Sequence, residues 1–279
     1  MTAPVPPQQA SGWQAELTLG FEARADKTVL GKRSQRGPLA VQRPFYPEGP
    51  VCHAYVLHPP GGVVGGDQLT LNATVAPAAS ALLTTPGATK FYRSNGQQAS
   101  QQQHFRVTGG VLEWLPQENI FFPGGNSVLS TNIHLDAAAR YIGWEIHCLG
   151  RPVIHEPFAH GNLLSSTRLY RERQPQFIDR LSIGGGQDLH GAAGLRQQPV
   201  IATLLATPAG RDTLAGVQPL CATPLAHGQA GVTLLHDVLV VRYLGASTAE
   251  AHHLFRHIWH HIRPLVTGRA AVTPRIWNT

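Results

Sequence analysis

The chain has 279 residues, 42% of them hydrophobic and only 14% charged, with a formal net charge of +6. That length supports a sizeable core, as one large domain or two small ones. The positive charges (19 Arg, with Lys27, Lys32 and Lys90 the only lysines) are scattered, which argues against nucleic-acid binding, and the low charged fraction leaves surface for protein partners.

Residues 1–12, MTAPVPPQQASG, have neither a basic n-region nor an apolar h-region, so they read as a disordered arm and not a signal peptide. No run of ~18 apolar residues exists, and the simplest expectation is a soluble, cytoplasmic protein. From Trp13 to Glu22 apolar and polar residues alternate, the period of a half-buried strand. The same alternation recurs at Leu69–Val75, Leu129–Leu135 and Ile142–Cys148. Cys52–His58, Val111–Leu115, Phe177–Ile183, Val200–Leu205 and Val232–Leu244 are further strand candidates. Pro and Gly clusters punctuate the gaps, as in an all-β chain.

The densest punctuation lies between Gly37 and Leu71, where Pro44, Pro47 and Pro50 precede Pro59-Pro60-Gly61-Gly62 and Gly65-Gly66-Asp67. Proline fixes φ and glycine opens φ > 0, so this stretch specifies an irregular but defined backbone. A short helix is expected over Asp136–Arg140. A longer one begins at the capping-box pattern Ser247-Thr248-Ala249-Glu250. Ala251, Leu254, Phe255, Ile258 and Ile262 form its apolar stripe, and Pro264 is expected to end it.

Cys52, Cys148 and Cys221 form no C-x-x-C, which argues against a disulfide framework or a structural zinc site. His253, His257 and His261 recur at i, i+4 and i+8 opposite the apolar stripe, a spacing at which neighbours can chelate a metal or simply be solvated. His155-Glu156-Pro157-Phe158-Ala159-His160 is one residue too long for a zinc protease motif, and Pro157 forbids the helix it needs. The loop Gly61–Asp67 is not followed by a phosphate-binding Lys, and no G-x-S-x-G occurs. Nucleotide hydrolysis by a P-loop and an α/β-hydrolase are therefore excluded.

Four carboxylates stand out. Asp179 shares a strand face with Phe177, Leu181 and Ile183. Glu113 lies in a segment apolar on both faces. Glu145 shares a face with Gly143 and His147. Asp67 follows two glycines, which leave space for water. Buried carboxylates need a partner, a proton or water. Arg43, Arg93 and Arg151 are candidate ion-pair partners; the alternative is a polar passage through the β core. Oxygen and imidazole ligands suit an exchangeable divalent metal ion.

The strings QRPFYPEG (Gln42–Gly49), CHAYVLHPPGGVVGGD (Cys52–Asp67), TTPGATKFYRS (Thr84–Ser94), LEWLPQE (Leu112–Glu118), GRP (Gly150–Pro152) and PRIW (Pro274–Trp277) resemble the urease accessory protein family UreD, also called UreH. The resemblance runs from about Trp13 to Trp277; His155-Glu156 departs from it, since the family more often has small residues before that Glu. It implies one mainly β domain over residues 13–279, of coiling strands in a flattened right-handed β-helix-like fold, with a C-terminal amphipathic helix. It implies a non-enzymatic chaperone that binds apo-urease with UreF and the GTPase UreG and helps insert nickel, in a hetero-oligomer. No tightly bound cofactor is expected, only transient Ni(II), with Asp67, Glu113, Glu145 and Asp179 as candidates along its path. The resemblance places UreF contact near the C-terminus, where Leu254, Phe255, Ile258, Trp259 and Arg263 are the candidate partner-binding residues. The rival readings are a β-helix-like hydrolase or lyase using Asp67 and Glu113 as an acid–base pair, and a nickel store on the histidine-bearing helix.

Overall fold

A computed structural model describes residues 12–192 and 194–278, so the arm expected over residues 1–12 lies outside the described residues except for Gly12. In chain order the strands are β1 (Gln14–Arg24), β2 (Lys27–Arg36), β3 (Ala40–Val41), β4 (Cys52–Leu57), β5 (Gln68–Val75), β6 (Ser80–Thr84), β7 (Thr89–Phe91), β8 (Ala99–Val107) and β9 (Val111–Trp114). They continue as β10 (Asn119–Phe121), β11 (Asn126–Leu135), β12 (Arg140–Arg151), β13 (Glu156–Pro157), β14 (Asn162–Arg171), β15 (Gln174–Gly184), β16 (Val200–Thr207), β17 (Gly228–Leu235) and β18 (Val238–Gly245). The helices are α1 (Gln187–His190), α2 (Arg211–Ala222) and α3 (Thr248–Thr267).

The protein is mainly β, and its strands build two sheets. A seven-stranded sheet runs β15-β14-β11-β8-β5-β1-β2, and the main path of an eleven-stranded sheet runs β17-β18-β16-β12-β9-β6-β4-β3. From β4 to β14 the chain passes back and forth between them. Along the way β5, β8, β11 and β14 pair in parallel in one sheet, and β4, β6, β9 and β12 in the other.

The period-2 pattern decides which side chains meet. Leu17, Leu19 and Phe21 of β1 join Leu71, Phe105, Ile133 and Leu169 in a core between the sheets. The alternate residues Glu16, Gln102, His104 and His134 face outward and are exposed. The larger sheet is buried on both sides, so β12 reads as a near-continuous apolar run. Its Tyr141 and Leu149 belong to the inter-sheet core, whereas Ile142, Trp144 and Ile146 belong to a second core beneath α2 and α3. This parity places Glu145 and His147 between the sheets.

Three expectations are corrected. Asp136–Arg140 is a turn, because Asp136 Oδ1 accepts the backbone N–H groups of Gly109 (3.0 Å), Ala138 (3.1 Å) and Ala139 (2.8 Å), which compete with helix bonds. Val232–Leu244 is a hairpin, β17 and β18, turning at His236-Asp237 with His236 at φ 53°. Pro264 lies inside α3; the helix runs on to Thr267 and ends at Gly268 in the left-handed conformation, φ 74°. The proline is exposed, so the donor it lacks leaves no buried group unpaired. The start of α3 is as read: Ser247 Oγ accepts the Glu250 N–H at 3.2 Å. The Glu250 carboxylate turns instead to Ala226 N–H (2.8 Å) and Tyr243 O–H (2.9 Å).

Candidate functional site

Glu145 is the polar centre of the inter-sheet space. Its carboxylate accepts the hydroxyls of Thr131, on β11, and Thr167, on β14, the latter at 2.9 Å. Both threonines belong to the opposite sheet, so the carboxylate bridges the two layers. His147, two residues on, places Nε2 3.2 Å from Ser165 Oγ and 3.9 Å from Glu145 Oε2, with Nδ1 3.5 Å from the Asn119 amide. Burial lowers the His147 pKa and the Glu145 charge opposes that shift, so the ring is a neutral imidazole at pH 7.

Three voids meet at Glu145. A cavity of about 190 Å³ reaches from His58, Gly61 and Thr85 past Gln101, Gln103 and Asn119 to Glu145. A void of about 30 Å³ continues from Glu145 and His147 to Asp179 and Arg242. A smaller one, about 10 Å³, lies among Thr131, Tyr141, Glu145 and Thr203. They follow the strand order across both sheets, from the β4–β5 side to the β15–β18 side. Buried His58 Nε2 and Trp114 Nε1 find no partner among the described residues, and both side chains line the large cavity. A cavity of this size admits several waters, each filling about 30 Å³ in the liquid. Burial also lowers the His58 pKa against the opposing charge of Asp67.

The four expected carboxylates do not converge. Glu145 lines all three voids, and Asp179 lines the second. Asp179 pairs with Arg242 at 2.8 Å, an arginine not foreseen as its partner. Asp67 is buried in the loop before β5, where Oδ1 accepts Trp13 N–H (2.7 Å) and Oδ2 accepts Val64 N–H (2.9 Å). The expected space for water beside it is filled: a Cβ on Gly65 would lie 2.4 Å from Ser94 Oγ and 2.8 Å from Gln97 O. These glycines admit neighbouring chain instead.

Glu113 faces the other core. Arg263 approaches Glu113 Oε1 through Nη2 at 2.8 Å, and Trp259 Nε1–H donates to Oε2 at 2.7 Å. Glu48, from the proline-rich turn, holds the other side of the same guanidinium at 2.7 and 2.8 Å. Arg263 is therefore the ion-pair partner of Glu113, whereas Arg151 pairs with Glu156, and Arg43 and Arg93 form no ion pair among the described residues. Leu254, Phe255, Ile258, Trp259 and Arg263 are all buried between α3 and the sheet, so they hold the helix and present no surface themselves.

His58, His147, Thr131, Thr167 and Gln103 were not singled out by sequence. Only His147, at i+2 from Glu145 on a recognised strand, carried a signal. Among the described residues no three His, Cys, Asp or Glu side chains come together as a metal-binding group. The three thiols are buried, and burial pushes Cys52 and Cys221 up to about 11 and Cys148 to about 12, so no thiolate forms at neutral pH. No described helix is long and apolar enough to cross a membrane.

The two-sheet frame, with helices covering one face of the larger sheet and polar voids between the sheets, defines a mainly β protein. Residues 14–278 match the family described as UreD urease accessory protein. The chain is 46% identical over 269 residues to the urease accessory protein UreD of Citrobacter koseri, covering 96% of this chain and 92% of that one. It is 44% identical over 274 residues to that of Klebsiella aerogenes (98% and 99%) and 45% identical over 273 residues to that of Alcanivorax borkumensis (96% and 93%). The chain belongs to the UreD urease accessory protein family.

Proposed function

We propose that this protein is a non-enzymatic urease maturation factor that binds apo-urease together with UreF and the GTPase UreG and facilitates nickel insertion in the cytoplasm. The observation that carries this reading, beyond family membership, is the line of voids meeting at Glu145. The back-and-forth course of the parallel strands supports a flattened, right-handed β-helix-like coil, and such a coil is a natural frame for an interior passage.

In this reading Ni(II) is cargo. A dication in a low-dielectric interior needs acceptor oxygens and neutral imidazoles at intervals. His58, the Gln101 and Gln103 amides, Glu145, His147 and Asp179 supply them in sequence. None of these positions offers a full ligand cage, so the ion and its waters can leave again. Asp67 stands behind His58 and lends its charge to that end. Glu113 has both oxygens engaged by Arg263 and Trp259, which makes it a lock for α3 and leaves it off the route. The separation of Asp67 from Glu113 gives the acid–base hydrolase reading no support.

The test is urease maturation with the variants Glu145→Gln and Asp179→Asn. Both should fold and co-purify with partners while the nickel content of urease falls several-fold. Wild-type nickel content in the double variant would sink the path.

A further inference from the structure

The outer side of α3 carries a group of histidines that the inter-sheet path does not use. His253, His257, His260 and His261 are all exposed, while their neighbours Leu254, Ile258 and Ile262 are buried in the second core. The helix is thus held in place by one face while the other presents imidazoles to solvent. His253 and His257 stand one turn apart with ring centroids 6.5 Å apart. Neither ring makes a hydrogen bond or ion pair with a described residue. The other two are engaged: His260 Nε2 lies 2.9 Å from Thr273 Oγ1, and the His261 ring fills the space that a Cβ on Gly216 of α2 would occupy.

We infer that His253 and His257 form a solvent-facing chelate for a divalent first-row transition ion, such as Ni(II), separate from the inter-sheet voids. Side chains at i and i+4 lie one above the other on a helix face. From their present separation, rotation about the side-chain torsions brings one nitrogen of each ring to about 2.0–2.1 Å from a shared ion. Imidazole is the borderline ligand that nickel, copper and zinc prefer over magnesium or calcium. Water completes the coordination shell, so the ion exchanges readily. The helix is already fixed by its buried face, and only side-chain freedom is lost on binding. The site lies on the opposite side of the larger sheet from Glu145 and can take up metal whether or not the interior path carries any.

The experiment uses the tag-free, full-length chain titrated with Ni(II) by calorimetry at one fixed, mildly alkaline pH, because metal affinity depends on pH. His253→Ala and His257→Ala should each weaken binding at least tenfold, since losing even a supporting partner of a metal ligand costs about 10–100-fold. His260→Ala should leave binding unchanged. The metal-free melting temperature should match wild type in His253→Ala and His257→Ala, because those two rings are exposed and make no hydrogen bond or ion pair with a described residue. Wild-type affinity and stoichiometry in the His253→Ala/His257→Ala double variant would overturn the assignment. So would binding that survives in that double variant and disappears with Glu145→Gln, which would put the ion in the interior. Because this readout is binding to the isolated chain, it succeeds or fails independently of nickel delivery to urease.

Discussion

Arg263, on the C-terminal helix, and Glu113, on a strand 150 residues earlier, meet as a buried pair with Nη2 2.8 Å from Oε1. The contact ties α3 to the centre of the larger sheet, and Glu48 closes it from the proline-rich turn. One guanidinium therefore holds together three distant parts of the chain. Its planar fork satisfies two carboxylates at once, which an ammonium cannot do with the same geometry.

Arg263→Met should destabilise the fold by about 3–5 kcal/mol, because it strands two buried carboxylates. The urea midpoint measures this. A loss below about 1 kcal/mol, the scale of an exposed pair, would mean that the cluster is solvated.

Glu48 should govern part of the acid stability. Burial alone would raise its pKa, but the hydrogen bonds from His53 and Arg263 outweigh that and lower it to about 2. A carboxyl held below its unfolded value adds stability that is complete above the unfolded pKa, near 4.5. That stability is lost as the pH falls from there toward 2. The size is on the order of 3 kcal/mol for a shift of this extent. Thermal denaturation of Glu48→Gln against pH should show a flatter acid limb between about 4.5 and 2 than wild type. Parallel limbs would remove Glu48 from the account.

Phe255 is fully buried against Trp144, with ring centroids 6.1 Å apart. Phe255→Ala should cost about 3–5 kcal/mol through lost burial and the cavity left behind. The melting temperature should fall, and under the proposed function co-purification with UreF should weaken as α3 loosens. An unchanged melting temperature would show that α3 is held by the Arg263 cluster alone.

The strands most legible in the sequence were those with one wet face. β1, β5 and β11 alternate cleanly because one side meets the inter-sheet core and the other meets water. β2, β8 and β14 went unread, since KTVLGKRSQR, ASQQQHFRV and NLLSSTRLYR carry too many polar residues for the pattern to stand out. Neighbours on both sides still make them strands: β8 lies between the parallel strands β5 and β11, and β14 between parallel β11 and antiparallel β15. Helix α2, RDTLAGVQPLCA, was hidden by Pro219 within it. The Ser247 cap and the apolar stripe of α3 were readable because capping and i, i+4 spacing are local.

Local patterning was enough to mark the carboxylates that are out of place and to send Glu145 and His147 to one face of their strand. It did not determine what those faces look onto. Only the tertiary structure turned Glu145 toward Thr131 and Thr167, gave Glu113 to Arg263 and Asp179 to Arg242, and closed both oxygens of Asp67 on backbone donors. The physical reason is that periodicity is a property of neighbours a few residues apart. A charge finds its counter-charge by distance in space, and here the partners are separated by 63 residues for Asp179–Arg242 and 150 for Glu113–Arg263.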